Sequence, residues 1–248
     1  MQAMILAAGL GTRLKPVTDS IPKALVRVNL KEGGDQPLLE GLLDKMIAQG
    51  FTSIVINIHH LGGQIRSFVS EYLERKNLPA KICFSDESDL LLGTGGAIKH
   101  ACPFFIPDFP LLVHNVDILS DLNLRAFVAG HNPETLATLL VSERVTDRQL
   151  IFDKEWQLIG WTNIKTKQYR WVKEKEPCNP DGCILRAFSG IYILSPEAMP
   201  LFEQQPDVFS IIDFFLETAA NYTIKGVEIP GIQVLDIGKP ETLKNTLL

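Results

Sequence analysis

The sequence predicts an α/β fold: a mixed, mostly parallel central sheet flanked by helices, with a small β-hairpin subregion in its second half. Strand-length apolar runs alternate with helically spaced ones over residues 4–142, which is the rhythm of βαβ units. Residues 150–172 change to short alternating segments separated by polar turns, as antiparallel hairpins do. The chain has 248 residues, 46% of them hydrophobic, enough to bury a sizeable core. We therefore expect one domain over residues 1–248, with halves at 1–145 and 146–248.

Met4 to Ala8 form an apolar run suited to a strand covered on both faces. Leu38, Leu39, Leu42, Leu43, Met46 and Ile47 have helical spacing, and Gly50 closes that helix. A β-branched strand is expected at 53–58, an amphipathic helix at 64–76, a strand at 80–84 and a glycine-opened helix at 95–101. A short buried strand at 111–113, a helix at 124–130 and a strand at 136–142 complete the first half. Beyond the hairpins, 188–194 reads as a core strand, Ser195 as the cap of a helix from Pro196, and 210–221 as a helix. A last strand at 232–237 and a helix from about Pro240 finish the chain.

Composition excludes several classes. With 29 acidic against 24 basic residues and a formal net charge of −5, the chain lacks the cationic excess that a nucleic-acid backbone requires, so any basic site is local. No apolar run approaches a bilayer span and the first residues lack the features of a signal peptide, so no membrane partner and a cytoplasmic location are expected. Cys83, Cys102, Cys178 and Cys183 include no Cys-x-x-Cys pair and read as reduced thiols. A monomer or homodimer is expected.

Chemistry concentrates where strands end. After the first strand, Gly9 and Gly11 allow a tight turn with exposed N–H groups, Arg13 offers a planar fork of donors, and Lys23 adds a compact charge after Pro22, together a cradle for phosphates. The alternative for a Gly-x-Gly alone is a plain turn. Asp117 follows a buried strand through His114-Asn115-Val116, and Asp236 ends another, so two carboxylates from distant sequence can converge on one metal. Magnesium suits them, since one or two carboxylates leave coordination positions for phosphate oxygens and water. Either aspartate alone reads equally as a helix cap or turn residue. His59 and His60 point to opposite faces of a strand and are not a joint metal site. No Gly-x-Ser-x-Gly elbow or activated cysteine is present.

Leu-Ala-Ala-Gly-Leu-Gly-Thr-Arg-Leu-x-Pro-x-Thr followed by Ile-Pro-Lys-Ala-Leu-Val resembles the signature of the sugar-1-phosphate nucleotidylyltransferases. It is neither the three-glycine dinucleotide fingerprint nor the Walker loop. The resemblance spans residues 4–243 in family order and is closest in form to short members acting on N-acetylmuramate 1-phosphate, mannose 1-phosphate or heptose 1-phosphate.

The resemblance implies a Rossmann-like nucleotide-diphospho-sugar transferase fold, with a nucleotide-binding half at 1–145 and a sugar-binding half at 146–248. It implies transfer of NMP from an NTP to a sugar 1-phosphate, with Mg2+ as cofactor. Arg13 and Lys23 become catalytic candidates, and Asp117 and Asp236 metal ligands. Leu6, Ala8, Gly9, Gly11, Thr12 and Asn115 become substrate-binding candidates, with Gly93, Thr94 and Gly95 lining the base pocket and Gly190 admitting the sugar. Glu174 and Lys175 resemble a Glu-Lys-Pro element that touches sugar and phosphate, here interrupted by Glu176, and Val116 stands where the family usually has glycine before the aspartate. The chain's end soon after Asp236 leads us to expect no appended acetyltransferase domain. Two alternatives stay open: a choline-phosphate-type cytidylyltransferase of the same fold, and a non-catalytic regulatory subunit that binds a nucleotide sugar.

Overall fold

The apolar opening run forms strand β1 (Gln2–Leu6) at the centre of the sheet, and both faces of it are covered. The computed structural model describes residues 1–30, 34–77, 80–175, 177 and 182–238. Met4 packs on one face with Val55, Val113 and residues of the later helices, while Ala3 and Ile5 pack on the other with Leu39, Leu43, Ile65 and Val69. Burial on both sides is why this strand reads as continuous apolar sequence rather than as alternation.

A small hairpin, β2 (Arg27–Leu30) with β3 (Gly34–Pro37), leads into α1 (Leu38–Ala48). β4 (Ser53–Ile58), α2 (Gly62–Lys76), β5 (Lys81–Asp86), α3 (Gly93–Ala101) and β6 (Leu111–Asn115) follow. β5, β4, β1 and β6 are parallel neighbours in that order, so the strand order reverses at β1. Leu6 is in register with Asn57 on one side and Asn115 on the other, which sets three strand ends level at the switch point. Ligand sites of open α/β sheets lie at such points.

The parallel series ends at β6. After β7 (Ile118–Ser120) and α4 (Leu124–Ala129), strand β8 (Ala137–Ser142) does not join the sheet beside β6. That place is taken by the long β12 (Ile184–Leu194), antiparallel to β6, whose Ile191 and Ile193 enter the core there; β8 pairs on the far side of β12. The hairpin strands β9 (Arg148–Phe152), β10 (Leu158–Asn163) and β11 (Gln168–Trp171) extend the sheet from the first residues of β12. Trp171 stacks on Tyr169 with centroids 5.7 Å apart, and Trp156 packs against Phe152.

α5 (Met199–Glu203) and α6 (Ile211–Thr218) cover one face. An eight-residue helix is marginal alone. α6 is held by a Ser210–Asp213 capping box and by burial of Phe214 and Phe215, each contributing about 1.5–3 kcal/mol. Ser195 precedes a single turn at Pro196–Ala198 but does not cap it. Its hydroxyl donates to the Thr135 carbonyl instead and lies 2.8 Å from His131 Nε2. β13 (Ile224–Glu228), which the sequence reading missed, runs parallel to β8, and β14 (Val234–Asp236) pairs with β7. The helix expected near Pro240 and the Cys178 region lie outside the described residues. Among the described residues no helix is long and apolar enough to cross a membrane, and the described cysteines are free thiols.

Candidate active site

A cleft of about 270 Å³ opens at the carboxyl ends of β1, β4 and β6. Leu6, Ala8, Gly9, Lys23, Gly93, Thr94, Asn115 and Asp117 line it. A larger hollow of about 460 Å³ between α4 and β13 contains none of these residues and is mainly apolar, with Phe127, Val227 and Ile229 in its wall. Charge chemistry therefore belongs to the smaller cleft.

The loop after β1 turns at Gly11, whose φ is +63°. A side chain there would meet Thr18 Cγ2 at 2.7 Å, and the Thr18 hydroxyl donates to the Gly11 carbonyl at 2.8 Å. Thr12 and Arg13 then lie exposed on one turn of helix at Thr12–Leu14. Lys23 is mostly buried and ion-paired with Asp117. The Asp236 carboxylate lies 3.9 Å from Arg13 and 3.5 Å from Arg144. β14 lies against β7 with Asp236 opposite Ile118, and the Ile237 amide donates to the Asp117 carbonyl at 2.9 Å. Both aspartates thus occupy one patch. At Gly238 a Cβ would come within 2.5 Å of Arg13 and 2.9 Å of Lys23 Nζ, so the two cations and Asp236 crowd around a residue that must lack a side chain.

Among the described residues no three His, Cys, Asp or Glu side chains converge on a metal position. Two hard carboxylates nevertheless fit Mg2+ that arrives with phosphates, because such an ion takes most of its ligands from phosphate oxygens and water. Three cations, Arg13, Lys23 and Arg144, stand against two carboxylates, so the patch has spare positive charge for anions.

Residues 2–149 match the family model described as nucleotidyl transferase. The chain belongs to that family. This nucleotidyl transferase is 28% identical to N-acetylmuramate alpha-1-phosphate uridylyltransferase of Caulobacter vibrioides over 96% of its own length and 92% of the relative's. It is 30% identical to mannose-1-phosphate guanyltransferase of Aspergillus oryzae over 83% of its length, spanning about half, 52%, of that longer protein. HddC from Yersinia pseudotuberculosis, solved in complex with GMP-PN, superposes with a TM-score of 0.69 at 27% identity, covering 98% of this chain and 96% of that one.

The other expected site residues carry packing contacts of their own, and of them Gly93 and Thr94 line the cleft. The glycines of the 93–96 segment serve packing: a Cβ at Gly93 would meet the Phe209 carbonyl at 2.6 Å, and one at Gly95 would enter the Phe209 ring at 2.3 Å. Gly95 is buried beneath Phe209 and does not line the cleft, while Thr94 Oγ1 accepts the Ile211 amide at 2.9 Å. Gly190, at φ +74°, makes room for Asn115, whose Nδ2 would lie 2.6 Å from an added Cβ. Glu174 is exposed beside Lys173, and Lys175 Nζ donates to the Ala219 carbonyl at 2.6 Å, so neither side chain lines the cleft. Both sit in the turn after β11, with Lys175 docked on the end of α6; Glu176 lies outside the described residues. Val116 lines the cleft and packs in the core, its amide on the Leu6 carbonyl.

Three residues in or beside the cleft escaped the sequence reading. Asn57 Oδ1 accepts from the Ala7 amide at 2.6 Å and the Ala8 amide at 3.4 Å, and its Nδ2 donates to Glu87 Oε1 at 2.7 Å. Glu87 Oε2 accepts from the Leu92 amide at 3.2 Å, joining the β1 loop to the start of α3. Burial pushes the Glu87 carboxyl above its ordinary pKa, and the Asn57 and Leu92 donors oppose that. Arg144 is the third. Asn57, at the carboxyl end of a buried strand, carried the only sequence signal among them, a lone polar residue in Ile-Val-Ile-Asn-Ile. His114 is fully buried with Nδ1 donating to the Asn115 carbonyl at 2.8 Å, and burial lowers its pKa to about 4.

Proposed function

We propose that this nucleotidyl transferase moves NMP from an NTP to a sugar 1-phosphate, giving an NDP-sugar and pyrophosphate. The observation that carries the reading is the meeting of Arg13, Lys23, Asp117 and Asp236 at the end of the central strands. The printed activities of the uridylyltransferase and guanyltransferase relatives support the acceptor class.

Two anions must react, so charge neutralisation and alignment dominate catalysis. In this reading Arg13 and the amides of residues 9–12 hold the β- and γ-phosphates that leave as pyrophosphate. Lys23 steadies the α-phosphate as the acceptor attacks in line. Gly93 and Thr94 form the nucleotide-side wall, and Asn57 fixes the Ala7–Ala8 amides opposite it. Asp117 and Asp236 would hold Mg2+, which when bound supplies positive charge to the phosphate oxygens. The acceptor phosphate is already ionised and needs no general base; His114, neutral and tied to the Asn115 carbonyl, moves no proton. Residues 1–145 supply most of the nucleotide side and 146–248 most of the acceptor side.

Pyrophosphate release, measured across the four NTPs with a panel of sugar 1-phosphates and choline phosphate, tests the reading. Release with at least one pair is the expected result. Tight nucleotide-sugar binding with no release from any pair would favour a regulatory subunit, and release only with choline phosphate would replace the acceptor class.

A further inference from the structure

We propose that Arg144, paired with Asp236 beside this cleft, is a third substrate-binding cation and that it takes the phosphate of the incoming sugar 1-phosphate; the assignment rests on the transfer reaction proposed above. Arg144 follows β8 and pairs with Asp236, as Arg13 of the β1 loop does. Its ion pair with Asp236 is long, 3.5 Å, and its NH2 donates to the Phe188 carbonyl at 3.4 Å. Both contacts sit at the outer limit of useful geometry. Its Nε is buried with no partner among the described residues. Arg186 shows what a satisfied guanidinium looks like here, with contacts of 2.9 and 3.0 Å to Glu228 and 2.9 Å to Glu143. Arg144 has donors to spare.

A second observation marks the same place. Among the described residues the buried side-chain polar atoms without a partner are Ser142 Oγ, Arg144 Nε, Ser189 Oγ and Tyr192 OH. The first three belong to one crossing, where Ala187 of β12 faces Ser142 of β8 and Phe188 faces Val141. Buried polar groups are nearly always hydrogen-bonded to protein or water, so orphans gathered at one crossing mark a place that receives a polar ligand or water. The crossing adjoins Gly190, against which the cleft residue Asn115 is packed.

The chemistry selects phosphate, because a planar guanidinium matches two phosphate oxygens at once. Its place against Phe188 of β12, in the half of the sheet read as the acceptor side, assigns Arg144 to the acceptor's phosphate rather than the nucleotide's. In-line displacement places the attacking oxygen across the α-phosphorus from the leaving pyrophosphate. Arg13 and Arg144 contact Asp236 from different elements, one after β1 and one after β8. With Arg13 on the leaving group, Arg144 takes the attacking one.

Steady-state kinetics of the wild type, Arg144→Met and Arg144→Lys test this with the NTP and sugar 1-phosphate that turn over fastest. Arg144→Met should raise KM for the sugar 1-phosphate tenfold or more and KM for the NTP less than twofold, with an unchanged melting temperature. Arg144→Lys, which keeps the charge but loses the fork, should give an intermediate rise, and it carries the test if the Met variant does not fold. An unchanged KM for the sugar 1-phosphate, or equal rises in both KM values, overturns the assignment while wild-type turnover leaves the transfer reaction standing. A wild type that releases no pyrophosphate overturns both.

Discussion

The Ile237 amide donates a 2.9 Å hydrogen bond to the Asp117 carbonyl. Together with the pairing of Asp236 opposite Ile118, it draws Asp117, between β6 and β7, and Asp236, at the end of β14, into one patch beside Lys23 and Arg13. Removing one preorganised charge of this kind costs on the order of a hundred- to a thousandfold in turnover. Asp117→Asn, Asp236→Asn and Arg13→Ala should each lose about that much in pyrophosphate release. Near-full turnover in any of them contradicts its assigned role.

Asn57 ties the loop after β1 to Glu87 by bonds made on both ends of its amide. Asn57→Ala leaves the Ala7 amide and a Glu87 oxygen unpaired, at about 1–3 kcal/mol. The NTP-side wall loosens, so KM for NTP should rise by roughly fivefold to a hundredfold, with KM for the sugar 1-phosphate changing little. Equal effects on both substrates would mean that Asn57 only supports the fold.

Gly190→Ala puts a methyl group 2.6 Å from Asn115 Nδ2 at a backbone φ of +74°. The left-handed conformation alone costs about 1–2 kcal/mol, and Asn115 must leave its place. Thermal melting and turnover should both fall. A variant as stable and active as the wild type would show that Asn115 is not fixed by this contact.

Burial holds the His114 pKa at about 4, below the ordinary 6.5. Between those values the unfolded chain takes up a proton that the folded chain refuses, so stability rises with pH across this window and is lost as pH falls from about 6.5 toward 4. His131, also lowered by burial, acts in the same direction. Glu87, raised by burial, acts oppositely and loses stabilisation as pH rises. Urea melts at pH 7 and pH 5 should show a loss of roughly 1–3 kcal/mol at the lower pH, reduced in His114→Leu. An unchanged pH dependence in that variant rules out His114 as the cause.

The sequence made the β1 loop legible because glycine spacing and cations in a short segment have few other uses, and Leu6, Ala8, Gly9 and Lys23 all line the cleft. It made the parallel series up to β6 legible because buried strands and amphipathic helices alternate there. The neighbours of β8 were not legible, because local pattern carries no information on which strand fills the slot beside β6. A glycine tells of close approach and not of what approaches: Phe209 packs against Gly93 and Gly95 and Asn115 against Gly190, while Gly93 also lines the cleft. Arg144 stayed hidden because its partner Asp236 lies far along the chain and a single arginine after a strand has no spacing to betray it.

Transfer of label from an α-phosphorus-labelled NTP tests the central claim most directly. With Mg2+ and a sugar 1-phosphate that supports turnover, the label should appear in NDP-sugar with one pyrophosphate released for each product formed, and this should fail together in Asp117→Asn and Asp236→Asn. Label that stays in NTP, or that appears as free NMP by hydrolysis, would contradict the account.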